Sequence, residues 1–151
     1  LRSYIATDRD DAPLALGGAP QGDPYILPSM MASAVLAETG LRDRNLGPNM
    51  PTEAMISEIQ YTKPALVWLS FSVRGQIERM TTELGRLLDV TDELGTNVIV
   101  GGRVLDGPLP RSLSGRVQQA TSMGELAAFS KGLISVARRE EAIDGENAKL
   151  A

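Results

Sequence analysis

The chain has 151 residues, of which 42% are hydrophobic, and this is enough to build one well-buried domain. Its formal net charge of −4 argues against a large nucleic-acid-binding surface, because phosphate contacts require clustered lysine and arginine. The sequence contains no histidine and no cysteine, which excludes disulfides, catalytic thiolates, Ser–His–Asp triads and metal sites built from those two residues.

Residues 1–12 become highly charged towards their end, and they are predicted to be a lead-in to the folded domain. No apolar run approaches the roughly 20 residues of a membrane span, and the start of the chain lacks the charged-then-apolar order of a signal peptide. The sequence therefore predicts a soluble, cytoplasmic protein without membrane contact.

From residue 13 onward, short apolar runs alternate with helical patterns, which is typical of βα units stacked around a parallel sheet. The first predicted strand is Pro13–Leu16, and residues 22–27 form a loop beyond its carboxyl end. Pro28 fits the first position of a helix, because the N–H that proline lacks would be unpaired there in any case. The apolar face predicted for this helix consists of Met30, Met31, Ala34 and Val35.

The middle of the chain is predicted to contain three strands and two helices, and the second and third of these strands are predicted to be the most buried. Leu41–Leu46 is a weak strand before a helix that Pro51 can open, and the side chains of this helix that face inward are Met55, Ile56 and Ile59. Ala65–Phe71 is apolar without alternation, as expected for a central parallel strand covered on both faces, and Asn97–Val100 is similar. The apolar stripe of one long helix between them contains Ile77, Met80, Leu84, Leu87, Leu88 and Leu94.

The last third of the chain is predicted to add a loop, an edge strand and a final helix. Residues 103–114 contain two prolines and are predicted to form a loop, and residues 117–120 a short strand. Ser122 and Glu125 have the spacing of a helix capping box. The apolar positions of the helix are Leu126, Phe129, Leu133, Ile134 and Ala137. Residues 139–151 are predicted to fray as a polar tail.

Four short motifs lie after the predicted strands, namely Gly22-Asp23-Pro24-Tyr25, Leu46-Gly47-Pro48-Asn49-Met50-Pro51, Leu69-Ser70-Phe71-Ser72 and Gly101-Gly102. Together they resemble the domains that bind cobalamin (vitamin B12), whose first loop reads Gly-Asp-x-His-x-x-Gly. The resemblance covers about residues 13–137. It implies one domain over residues 13–138 with a Rossmann-like (flavodoxin-like), three-layer α/β/α fold and a five-stranded, mainly parallel sheet.

The resemblance also implies roles for the residues of the first loop, which starts at Gly22. Asp23 occupies the position that orients the cobalt-binding histidine of the family, Tyr25 occupies the position of that histidine, and Pro28 replaces the glycine. A phenol with a pKa of about 10 is a poor donor to cobalt at neutral pH. The resemblance therefore implies cobalamin binding without a protein ligand on the metal.

The later motifs resemble the channel that holds the nucleotide tail of the cofactor in this family. Ser70 and Ser72 stand at the first and third positions of the family's Ser-x-Leu motif, so serine replaces the leucine. Gly101 and Gly102 supply the glycine pair, whose missing side chains let the ligand approach the backbone. Gln76 stands where methionine synthase has the second serine of a hydrogen-bond relay.

Each of these features also has an ordinary structural interpretation. Gly22-Asp23 is typical of a turn, the glycine pair of a strand-to-loop transition, and Ser70 of a side chain that satisfies backbone groups at a strand end. Methionines at helical spacing are typical of core filling, not of metal ligation. The sequence predicts no metal site and no catalytic residues, and hence a protein that is not an enzyme.

Three functional hypotheses follow, and homo-oligomerisation is compatible with each. The segment Leu46–Pro51 and the compact length look most similar to the B12 modules of MerR-type and light-responsive transcriptional regulators. The first hypothesis is therefore a sensory module, with a DNA-binding domain upstream, that binds cobalamin or another corrinoid. The second is a domain that binds haem or another planar or nucleotide-like ligand. The third is a protein-interaction module in which Tyr25 and Pro28 fill the former pocket.

Overall fold

The computed structural model describes residues 11–105 and 107–151, so most of the predicted lead-in lies outside the described residues. The strands are β1 (Leu14–Gly18), β2 (Arg42–Asn45), β3 (Leu66–Ser70), β4 (Asn97–Gly101) and β5 (Gln118–Ala120). They form one sheet with the order β2-β1-β3-β4-β5, and each neighbouring pair is parallel. The predicted five-stranded sheet is confirmed, and all of its pairings are parallel.

The helices are α1 (Leu27–Thr39), α2 (Thr52–Thr62), α3 (Gln76–Arg79), α4 (Thr81–Leu94) and α5 (Met123–Leu150). Helices α1 and α5 pack on one face of the sheet, and α2 and α4 pack on the other, which gives two apolar clusters and confirms the three-layer fold. All five residues of β3 are buried, as its unbroken apolar run predicted. None of the described helices is long and apolar enough to cross a membrane.

The apolar face predicted for α1 was wrong at Met30, Met31 and Ala34, which are exposed, whereas Val35 is partly buried against the core. Met30 and Met31 are 57% and 48% exposed, and the buried residues of the helix are Ser29, Ala32 and Leu36. The Ser29 hydroxyl donates a hydrogen bond to the carbonyl of Ile26, at 2.8 Å, so this small polar side chain is satisfied locally and can be buried. The face that packs against the sheet therefore contains Ser29, Ala32 and Leu36 and excludes the two methionines.

The long third helix of the prediction is divided in two at Met80, whose backbone angles (φ −101°, ψ 13°) depart from helical values. Ile77 in α3 and Leu84, Leu87 and Leu88 in α4 are buried, so most of the predicted apolar stripe is retained. Leu94 is exposed at the end of α4 and does not belong to this stripe.

Helix α5 begins with half of the expected capping box and runs beyond the expected end. The Ser122 hydroxyl accepts a hydrogen bond from the N–H of Glu125 at 3.1 Å, while the Glu125 carboxylate accepts from the N–H of Thr121. This backbone bond lowers the pKa of Glu125 below its usual value. Where the sequence predicts a fraying polar tail from residue 139, the helix continues to Leu150, and every residue from 138 onward is exposed.

Candidate functional site

The predicted site residues of three motifs come together at the carboxyl edge of the sheet. Strands β1 and β3 are neighbours, but the chain continues from β1 to one side of the sheet and from β3 to the other. In open α/β sheets, the crevice at such a switch point is where ligands bind. The loops after β1 and β3 are joined there by the hydrogen bond from the N–H of Ser72 to Asp23, and the end of β4 lies beside the end of β3.

Asp23 joins the loop after β1 to the loop after β3. It is fully buried, and one carboxylate oxygen accepts a hydrogen bond from the backbone N–H of Ser72 at 2.6 Å. The other oxygen accepts from the N–H of Tyr25 at 3.1 Å. Both oxygens are thus engaged with the backbone, so Asp23 acts as a clamp between two loops and does not orient the side chain of residue 25.

Asn49, from the loop after β2, also stabilises the loop after β1 through two hydrogen bonds. Its side-chain oxygen accepts a hydrogen bond from the N–H of Gly22 at 2.7 Å, and its own N–H donates to the carbonyl of Asp23 at 2.8 Å. Gly22 has φ of +87°, a left-handed conformation that glycine adopts readily. The sequence motif included Asn49, but its contact with a residue 27 positions away could not be inferred from spacing.

Gln76 holds the loop from a third side, and sequence reasoning missed this role. It is buried, and its amide nitrogen donates to the carbonyl of Gln21 at 2.8 Å. The amide oxygen is buried and has no hydrogen-bond partner within the described part of the chain. The residue that replaces a serine of the family's relay therefore supports the backbone of the first loop. The available signal was its place at the position of the relay serine.

The side chain of Tyr25 does not fill a pocket. It is 56% exposed, and Ile26 and Leu27 beside it are exposed as well. Pro28 is half-buried as the second residue of α1, one position later than predicted. Together with Met30 and Met31, the side chains of Tyr25, Ile26 and Leu27 form an exposed apolar rim at the start of α1. The hypothesis that Tyr25 and Pro28 block the former site is wrong for Tyr25.

Ser70 and the glycine pair mark the ends of the two central strands. Ser70 is the last residue of β3 and pairs with Gly101, and the N–H of Phe71 donates to the Gly101 carbonyl at 2.8 Å. Gly102 has φ of +136°, and a Cβ atom there would lie 1.8 Å from the carbonyl oxygen of Phe71. Close approach of two backbones therefore accounts for glycine at this position, as the ordinary structural interpretation holds.

An open crevice of about 630 Å³ lies beyond these strand ends, and its lining residues are Ser72, Arg74, Arg103 and Val104. Sequence reasoning identified Ser72 in this set and missed the two arginines. Both lie within two residues of a predicted motif, but their meeting depends on the order of the strands in the sheet. Among the described residues no group of three acidic side chains is placed to hold a metal ion.

A second carboxylate, which is partly buried, lies outside the site. Asp43 of β2 accepts hydrogen bonds from the indole N–H of Trp68, at 2.8 Å, and from the hydroxyl of Ser33. Burial raises the pKa of Asp43 above its usual value of 3.8, and the two hydrogen bonds oppose that rise. These contacts join β2, β3 and α1, so Asp43 belongs to the scaffold.

No protein-family model matches the chain, and no curated protein matches it either. Several solved structures, however, are similar to this chain. A monomethylamine corrinoid protein from Methanosarcina barkeri has a TM-score of 0.62 at 19% identity, over 84% of this chain and 60% of its own. A cobalamin-binding protein from Desulfitobacterium hafniense has a TM-score of 0.57 at 17% identity, over 84% of this chain and 58% of its own. The chain has the fold of a cobalamin-binding domain.

Two further structures define the limits of this likeness. The methanol:cobalamin methyltransferase complex MtaBC from Methanosarcina barkeri gives a TM-score of 0.63 at 15% identity, over 82% of this chain and 46% of that one. The signal receiver domain of the response regulator NarL from Mycobacterium tuberculosis gives a TM-score of 0.51 at 13% identity. The match covers 78% of this chain and 91% of that domain. The chain spans less than two thirds of each cobalamin-related structure, and at these identities the likeness concerns the fold alone.

Proposed function

We propose that this domain binds cobalamin or a related corrinoid in the crevice at the carboxyl ends of β1, β3 and β4, with no protein side chain on the cobalt. The observation that carries the proposal is the Asp23 clamp. It holds the first loop in an ordered conformation across the switch point of the sheet, although the chain has no histidine for it to orient. The fold shared with cobalamin-binding structures supports the same site.

The described residues fit such a ligand if the cobalt keeps a ligand of its own or water. Both carboxylate oxygens of Asp23 accept backbone N–H groups, so this carboxylate is engaged with the two loops and not with the Tyr25 side chain. The exposed ring is free to make apolar contact with a flat ligand. Ser70, Ser72 and the open crevice of about 630 Å³ offer hydroxyl groups and space to the polar tail.

When bound, cobalamin supplies a cobalt centre whose upper ligand can be exchanged or released, which is the chemistry that a sensor needs. The chain's own residues would bind and orient the ligand, and the site as described offers no paired carboxylates for acid–base chemistry. We therefore propose a sensory module of a larger regulator. The resemblance of the Leu46–Pro51 segment to B12 modules of transcriptional regulators supports this role, and a DNA-binding partner domain is part of the proposal.

The exposed apolar rim favours a second candidate function, contact with another protein. Tyr25, Ile26, Leu27, Met30 and Met31 are each about half exposed or more, and they lie together at the start of α1. Exposed apolar patches of this kind mark interaction sites on soluble proteins. A protein that covers the rim would compete with, or complete, the binding of a flat ligand.

The proposal is tested by absorption titration of the purified domain with hydroxocobalamin and adenosylcobalamin, followed by desalting. We expect retained corrin colour with the spectrum of cobalamin whose own base stays on cobalt. In Tyr25→His, the spectrum is expected to change to the base-off form, because imidazole is a good cobalt ligand. Tyr61→His is the matched control, since Tyr61 is 85% exposed on α2. Loss of all colour on desalting from each variant would contradict the proposal.

A further inference from the structure

We infer that Arg74 and Arg103 form an anion subsite that binds the phosphodiester of a nucleotide-bearing ligand. The inference deepens the proposed function and rests on the same crevice. Both arginines line this crevice together with Ser72 and Val104. None of the motifs that carry the resemblance includes either arginine, so the subsite is a property of this chain's own residues.

The topology brings the two arginines to the same edge of the sheet. Arg74 comes four residues after the end of β3, and Arg103 comes two residues after the end of β4. These strands are parallel neighbours, and their last residues, Ser70 and Gly101, are paired. The two loops therefore leave the sheet side by side, which explains why both arginines line one crevice.

The loop that carries Arg74 is held in a tight turn. The N–H of Gln76 donates to the carbonyl of Val73 at 3.2 Å, and Gly75 between them has φ of +69°. Before this turn, the N–H of Ser72 is held by Asp23, so the backbone on both sides of Arg74 is fixed. The side chain of Arg74 itself is exposed.

The loop that carries Arg103 is held in a comparable way. The N–H of Leu105 donates to the carbonyl of Gly102 at 3.1 Å, which closes a turn around Arg103. The Gln119 amide donates to the carbonyl of Leu105 at 2.9 Å and ties this turn to β5. A fixed backbone under an exposed cationic side chain lowers the entropy lost when a ligand is bound.

Neither guanidinium group is neutralised by a described carboxylate. The ion pairs in the described part of the chain are Arg44 with Glu58, Arg86 with Glu53, and Arg116 with Asp89 and Asp92. Arg74 and Arg103 form no ion pair with the described residues. Two such groups on one crevice create a local positive potential in a protein whose net charge is −4.

The chemistry of the subsite favours a phosphate group. Guanidinium binds phosphate oxygens through two parallel N–H···O bonds, and the Ser72 hydroxyl on the same crevice can add a third donor. Val104 offers apolar contact to a sugar or base. Cobalamin carries one phosphodiester in its nucleotide tail, whereas cobinamide is the same corrin without phosphate or nucleotide, so the two ligands separate the subsite from the rest of the crevice.

The test compares both corrins on the wild type and on the double variant Arg74→Gln/Arg103→Gln. We expect the double variant to bind cobalamin at least about tenfold more weakly, and cobinamide unchanged to within about twofold. The salt dependence of cobalamin binding should also become shallower. The control is Arg138→Gln/Arg139→Gln, which makes the same change of charge at exposed positions of α5. Equal weakening of both corrins, or of neither, would overturn the inference.

Comparison of the two corrins, followed by a binding measurement with a nucleotide, distinguishes failure of the subsite from failure of the proposed function. If wild type binds cobalamin and cobinamide equally, the inference is overturned and corrin binding still stands. If wild type binds neither corrin, the proposed function fails. In that case AMP, monitored by NMR chemical shifts, decides the inference. Binding of AMP that the double variant loses supports the subsite with a free nucleotide as its ligand, and absence of AMP binding overturns it.

Discussion

Asp23 and Asp43 are two acidic residues removed from bulk water that stabilise different parts of the molecule. Asp23 is fully buried and accepts hydrogen bonds from backbone N–H groups in two loops of the candidate site. Asp43 is partly buried and accepts from side chains of a strand and a helix. Backbone donors fix the path of a loop, whereas side-chain donors fix the packing of layers. The first aspartate therefore controls the shape of the site, and the second controls the scaffold under it.

The largest effect is expected from Asp23→Ala. The change leaves the N–H groups of Ser72 and Tyr25 without their acceptor in a buried setting, and each unsatisfied group costs about 1–3 kcal/mol. We expect the free energy of unfolding to fall by about 3 kcal/mol in urea titrations. Asp144→Ala, at an exposed position of α5, should be nearly neutral. A loss below about 1 kcal/mol would mean that water replaces the clamp.

The next largest effect on stability is expected at Gly102, where the backbone after β4 lies close to the backbone after β3. Gly102→Ala places a methyl group against the carbonyl oxygen of Phe71 at an unfavourable φ, and we expect a loss of about 2 kcal/mol in urea unfolding. Gly107→Ala is the control, because a Cβ atom there meets nothing within 4 Å. If the two variants were equally stable, the ends of β3 and β4 would be more adaptable than their contacts indicate.

A smaller, pH-dependent effect is expected from Asp43→Asn. The folded state raises the pKa of Asp43 above 3.8, so it holds the proton more tightly than the unfolded chain does. This contribution to stability is present at low pH and is lost as the pH rises through the raised pKa. Asparagine does not ionise, so the stability of the variant relative to wild type should increase from about pH 4 upward and then level off.

The free energies of unfolding of wild type and Asp43→Asn are measured by urea titration across the pH range. The contributions of the other titrating groups cancel in the difference between the two proteins. A relative stability that stays constant with pH, or that falls as the pH rises, would show that burial does not dominate at Asp43. The same series on Asp23→Asn separates the two residues, since the amide keeps one acceptor for the two backbone donors of the clamp.

The smallest effect is expected from Ser33→Ala. The Ser33 hydroxyl lowers the pKa of Asp43 and so opposes the effect of burial. Its removal should cost about 1 kcal/mol at neutral pH and make the pH dependence of stability steeper than in wild type. Ser57→Ala is a suitable control, because the Ser57 hydroxyl is exposed and bonds only to the carbonyl of Glu53 among the described residues. Identical pH profiles for Ser33→Ala and wild type would contradict the assigned role.

The succession of parallel βα units followed from local patterns because the sheet is buried on both faces, whereas the five-stranded, three-layer form was implied by the resemblance to cobalamin-binding domains. The apolar run Ala65–Phe71 had no alternation, and this alone indicated a central parallel strand. The error at α1 arose where a local hydrogen bond allowed Ser29 to be buried, since periodicity counts residue types and does not register such bonds. The break at Met80 likewise left the apolar spacing unchanged, so the sequence offered no sign of it.

The candidate site was less predictable because its contacts join distant positions. The resemblance singled out Asp23, but its bond to the N–H of Ser72 spans 49 positions and involves a backbone group that every residue type possesses. Arg74 and Arg103 were missed for another reason. Their meeting depends on the neighbouring positions of β3 and β4 in the sheet, which no spacing along the chain specifies.

Helix α5 has a consequence for the timescale on which its backbone opens. Its last buried residue is Ile134, and the remaining residues up to Leu150 have no core against which to pack. A helical segment of this length is marginal by itself in water, so it must open and close often. The amides of the second half should exchange with deuterated solvent far sooner than those near Leu126, and the change should fall close to Ala137. One continuous helix thus contains a slow and a fast exchange regime.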